Sequence, residues 1–112
     1  MSGKQLKQDY QKQIKSLVEA LKAYEPEKII LFGSMLYADK PSNDIDLFLI
    51  KETKLSRLGE RAREARKFLP DQRLPVDILV YTPGEVEEEV NRGNVFIAEI
   101  LEKGRPLYEQ KI

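Results

Sequence analysis

Two aspartates one residue apart, Asp44 and Asp46, stand at the head of an apolar run that ends at Ile50. Extended backbone points the side chains at i and i+2 to the same face, so a strand here projects both carboxylates together and turns Ile45 away. Neighbouring carboxylates repel, and keeping both ionised calls for a cation between them. Neither has a basic residue adjacent in sequence. Mg²⁺ is the natural candidate, because it takes oxygen ligands from one or two carboxylates together with phosphates and water. A third carboxylate, Asp77, interrupts the run Val76, Ile78, Leu79, Val80, where an unpaired charge is costly. If its strand lies beside that of Asp44 and Asp46, Asp77 completes the cluster. Gly33-Ser34 closes an earlier apolar run, Ile29, Ile30, Leu31 and Phe32. Glycine admits close backbone approach, and the amides after it, with the Ser34 hydroxyl, can cradle phosphate oxygens.

Positioning these groups takes strands with helices to cover them. Leu6, Tyr10, Ile14, Leu17, Val18 and Leu21 recur at steps of three and four, predicting an amphipathic helix over 4–24 that Pro26 stops. Residues 28–32 and 45–50 read as strands, joined by a polar loop containing Asp39, Lys40, Pro41, Ser42 and Asn43. Leu55, Leu58, Ala62, Ala65, Phe68 and Leu69 predict a helix over 55–69 that ends at Pro70. Its basic residues, Arg57, Arg61, Arg63, Arg66 and Lys67, are expected to form a solvated outer face. Residues 75–81 read as a third strand.

Thr82-Pro83-Gly84-Glu85 predicts a helix start, with Thr82 as cap and Glu85 closing a capping box. The acidic run 85–89 suits that helix N-terminus. Gly93 and Asn94 break the helix, a last one spans 95–103 with Gly104 as its stop, and Leu107 and Tyr108 add a short edge strand. The five tyrosines are unclustered and read as core or rim residues. The expected architecture is α/β (α+β): a small mixed β-sheet flanked by helices, forming a single domain over 1–112.

Composition narrows the chemistry. The chain has no Cys and no His, which removes disulfides, thiol catalysis, Ser-His-Asp triads and the usual zinc ligands. What remains is carboxylates, Lys, Tyr, hydroxyls and a hard metal ion bound through oxygen. Nineteen basic and nineteen acidic residues cancel, so no global field draws the protein to nucleic acid, and a dedicated DNA-binding role is not expected. The 41% apolar and 34% charged content is that of a globular protein. No apolar run approaches the roughly 20 residues needed to span a bilayer, and the polar N-terminus lacks a secretory h-region. No membrane association and a cytoplasmic location are expected.

Gly-Ser, a short loop, Asp-x-Asp and a lone Asp on a later strand together resemble the DNA polymerase β-like nucleotidyltransferases. The likeness is closest to the minimal nucleotidyltransferase (MNT) proteins and runs over nearly the whole chain, including the closing Ile100-Leu101-Glu102-Lys103-Gly104. It implies that Gly33 and Ser34 hold a nucleoside triphosphate, ATP above all. It also implies that Asp44 and Asp46 bind Mg²⁺, and that Asp77 ligates metal and helps deprotonate the attacking hydroxyl. The loop departs from the family's pattern. Asn43 stands where Ser is frequent before the first Asp, and Tyr37 and Ala38 stand where Arg and Gly are frequent. Lys40 is the available substitute for the missing Arg.

Minimal proteins of this family are often encoded beside a helical HEPN-domain ribonuclease toxin. The resemblance therefore implies an antitoxin, in a hetero-oligomer with that partner, which transfers AMP to a hydroxyl, typically of a Tyr. The altered loop motivates an alternative, a binding module without catalysis that masks its partner by contact. A third reading, an antibiotic-modifying enzyme, is weaker, since such enzymes generally carry an extra acceptor-binding domain.

Overall fold

The structure, a computed structural model, describes residues 3–33, 44–71 and 74–111, with side chains from Tyr10 onward. In chain order the elements are α1 (Gly3–Leu21), a 3-10 turn (Lys22–Tyr24), β1 (Lys28–Phe32), β2 (Ile45–Ile50), α2 (Leu58–Arg66), β3 (Val76–Tyr81), α3 (Pro83–Asn91), α4 (Val95–Lys103) and β4 (Arg105–Glu109). The strands form one mixed sheet in the order β3-β2-β1-β4. β1 is antiparallel to β2 and β4, while β2 runs parallel to β3. A parallel pair needs a crossover connection, and α2 supplies it.

Strand alternation divides the core in two. Ile29, Leu31, Ile45, Leu47, Leu49, Val76, Ile78 and Val80 pack beneath α1 and α2, against Tyr10, Leu17, Val18, Leu21 and Ala65. On the opposite face Ile30 and Phe48 pack against Ile97 and Ile100 of α4, with Phe32, Leu79, Tyr81 and Val86 around them. Burying a side chain such as Phe48 completely stabilises the fold by about 1.5–3 kcal/mol. This second face also carries the chemistry. Of the tyrosines, Tyr10 and Tyr24 are buried and Tyr81 and Tyr108 half-buried, as core or rim residues should be; Tyr37 lies outside the described residues.

Two expected elements differ in detail. The helix predicted over 55–69 begins only at Leu58. The Leu55 carbonyl, which would open such a helix, instead accepts the Arg61 Nε at 2.7 Å. The last turn tightens to i−3 bonds at Lys67, Phe68 and Leu69 before Pro70. Gly104 does stop α4, but at φ −63 and ψ 152, not in the left-handed conformation. Its glycine is required because a Cβ would collide with the Ile100 carbonyl and the Ile30 side chain.

The basic helix expected to be solvated is not uniformly so, and this corrects the sequence reading. Arg61 is only 3% exposed. It donates to the Leu55 and Val80 carbonyls at 2.7 and 3.1 Å, and to both oxygens of Glu85 at 2.6 and 3.1 Å. Arg61 flanks the stripe of Ala62 and Ala65 that packs on the sheet, so its guanidinium is carried inward. Glu85 also closes the predicted capping box with Thr82, exchanging bonds of 2.8 and 3.1 Å. One carboxylate therefore joins α2, the end of β3 and the start of α3.

Candidate active site

Sheet register assembles the site. Phe32 pairs with Asp46 across β1 and β2, and Asp46 pairs with Asp77 across β2 and β3. The three residues form a row across one end of the sheet, with backbones about 4.8 Å apart from strand to strand. By alternation Asp46 and Asp77 share the face of Phe48 and Leu79, which α3 and α4 cover further along. A bond of 2.9 Å from the Ile45 amide to the Pro75 carbonyl fixes this end of β2 against the start of β3.

Gly33 follows β1 at φ +86, a conformation that favours glycine. A Cβ at this position would collide with Oδ2 of Asp46. The bare backbone thus lies directly against the carboxylate.

Electrostatics mark Asp46 as the centre. Burial first, then the charges of Asp77 and Asp44, and a hydrogen bond with Asp77, push its carboxyl above the usual range. Asp77 sits on edge strand β3 with its side chain 69% exposed. Arg66 reaches it from α2, with Nη2 at 3.9 Å, while also donating to the Val76 carbonyl. Asp44 precedes β2 and is exposed. Its charge also reaches Tyr10, whose phenol is pushed up by burial and then by that carboxylate.

The structure thus brings together Gly33, Asp46 and Asp77, with Asp44 one step outside them. Ser34 and Lys40 lie outside the described residues. Among the described residues no three acidic side chains stand gathered in ligand geometry; the facing pair is Asp46 and Asp77. The donors nonetheless suit a hard divalent cation. They are oxygen-only, adjacent, and electrostatically frustrated by one another, the condition that a cation relieves. Sequence reasoning missed Arg66, although it borders the apolar stripe of α2 and so was placed to reach the sheet.

A family model of the nucleotidyltransferase domain matches residues 12–111, a span that includes Gly33 and all three aspartates. The chain belongs to that family. No curated protein and no solved structure matches it. Membership assigns the protein to nucleotide transfer in general, and nucleotidyltransferases of this family generally use a nucleoside triphosphate with a divalent metal. The four-stranded mixed sheet flanked by helices is consistent with a nucleotidyltransferase fold. Among the described residues, no helix is long and apolar enough to cross a membrane.

Proposed function

We propose that this nucleotidyltransferase transfers AMP from ATP, with Mg²⁺, to a hydroxyl acceptor. The observation that carries this reading is the placement of Asp46 opposite Asp77, with the bare backbone of Gly33 against Asp46. Asp44, Asp46 and Asp77 hold the metal. Gly33, with Ser34 and Lys40, receives the triphosphate. Mg²⁺ held by these carboxylates would act as a Lewis acid and neutralise phosphate charge. The acceptor oxygen bonds to the α-phosphorus, the bond to the bridging oxygen breaks, and pyrophosphate leaves with that electron pair. Asp77 takes the hydroxyl proton from the open edge of the sheet.

The acceptor we propose is a tyrosine of a cognate HEPN-domain ribonuclease toxin, with this protein as its antitoxin in a hetero-oligomer. The edge position and exposure of Asp77 favour an acceptor as bulky as a protein side chain. Exposed Val90, Val95 and Leu101 on α3 and α4 suit contact with a protein. They equally favour a second reading, neutralisation by contact alone. An Asp44→Asn/Asp46→Asn variant separates the two. Mg²⁺-dependent ATP binding by calorimetry, and AMP incorporation into the partner, should both be lost. A variant that still neutralises the partner fully in cells removes the main support for an enzymatic role.

A further inference from the structure

Beside Gly33, on the side away from Asp77, lies an apolar pocket of about 170 Å³ formed by Phe32, Phe96, Ile100 and Gly104. Phe32 is the register partner of Asp46, so the pocket and the carboxylates occupy adjacent positions at one end of the sheet, with Gly33 joining them. Its most prominent wall is Phe96. This ring meets Phe32 edge-on, with centroids 5.9 Å apart at 82°, yet remains 52% exposed. Ile97 and Ile100 already supply the core contacts of α4, so packing leaves a face of Phe96 unused.

We infer that this pocket seats the nucleobase of the triphosphate, stacked on Phe96. The inference rests on the proposal that Gly33 and the aspartates bind the triphosphate. Size supports it, since an apolar cavity of about 150 Å³ takes a benzene ring. The pocket therefore takes one aromatic ring and leaves the rest of the nucleotide outside, its phosphates running past Gly33 towards Asp46. At its rim Glu99 and Lys103 form an exposed ion pair at 3.6 Å. A carboxylate there accepts from an exocyclic amine and the ammonium donates to a ring nitrogen. An amino-bearing base such as adenine thus satisfies both, whereas uracil has no amine to offer Glu99. The chain of contacts orders the substrate: base by α4, phosphates at Gly33, acceptor from the β3 edge.

The test compares ATP with inorganic tripolyphosphate, both with Mg²⁺, on wild type and Phe96→Ala by calorimetry. The variant should lose about 5- to 150-fold in ATP affinity, the range expected when a base loses its aromatic platform, and should bind tripolyphosphate as wild type does. The protein has no Trp, so Phe96→Trp provides a single tryptophan at the wall, excited selectively over the tyrosines. ATP should quench it and tripolyphosphate should not. Unchanged ATP affinity in a folded Phe96→Ala protein overturns the base pocket and leaves the triphosphate site standing. An equal loss for both ligands does the same. If wild type binds neither ligand, the triphosphate reading fails and the pocket assignment falls with it.

Discussion

Asp46→Asn should stabilise the metal-free protein while removing its function. Asn is isosteric with Asp and fits beneath the Gly33 backbone, so packing is unchanged. What changes is charge. Asp46 stands directly opposite Asp77 in the parallel register and two residues from Asp44, and their charges act on its partly buried carboxyl. Like charges in such cross-strand pairs cost about 0.2–1 kcal/mol. An Asn amide donates to Asp77 without the shared proton that two carboxylates need, and at neutral pH that hydrogen bond is worth about 0.5–1.5 kcal/mol. Because Asp77 is largely exposed, the lower ends of both ranges apply, giving about 0.7 kcal/mol. For a domain of this size that raises Tm by about 3 °C. Thermal melts at neutral pH and low ionic strength with a chelator measure it, and added salt should narrow the gap by screening. Mg²⁺ should then reverse the order, since a ligand that binds only the wild-type fold stabilises only that fold. A variant that melts at or below wild type without divalent ions refutes the claim that the carboxylates confront one another.

Arg61→Ala should cost about 3 kcal/mol, the lower end for breaking a buried pair, because Glu85 keeps 39% side-chain exposure. A urea midpoint shift at constant m checks it, and a change under about 0.5 kcal/mol counts against the buried position of Arg61. Glu85 is held below its ordinary value chiefly by its hydrogen bond from Arg61. Its contribution is therefore present above the unfolded-state value of about 4.3 and is lost as pH falls through the lower folded value. The stability gap between wild type and Glu85→Gln should accordingly close as pH falls below that unfolded-state value, and a gap that widens on acidification contradicts the assigned direction. Gly33→Ala forces alanine into a left-handed conformation at about 1–2 kcal/mol and displaces the Asp46 carboxylate. It should fold with a lower Tm and lose Mg²⁺-dependent ATP binding; retention of wild-type affinity would separate Gly33 from the phosphate site.

The parts of this molecule legible in sequence are those set by local periodicity. Asp44 and Asp46 announced a strand head because alternation is a two-residue rule, and Asp77 stood out because it broke an apolar strand. Their meeting in register needed only that β3 lie beside β2, which a β-α-β crossover makes natural. The parts that stayed hidden depend on how a helix is rolled against the sheet. Arg61 and Arg66 each lie within about 70° of the apolar centre of α2, by the 100° step per residue. Such border positions can face water or turn inward, and composition favours the first. Contact with the sheet decides otherwise: the Val80 carbonyl and Glu85 draw Arg61 in, and Asp77 and the Val76 carbonyl draw Arg66. Phe96 poses the converse problem, since an aromatic residue on an apolar helix reads as core. It is half exposed because Ile97 and Ile100 occupy the inward stripe and leave Phe96 at the rim beside Gly33. Arg66 of α2 and Phe96 of α4, each at the border of its apolar stripe, thus reach the end of the sheet where the aspartates stand. The same packing that closes the core therefore delivers a cation to Asp77 from one side and an aromatic wall to Gly33 from the other.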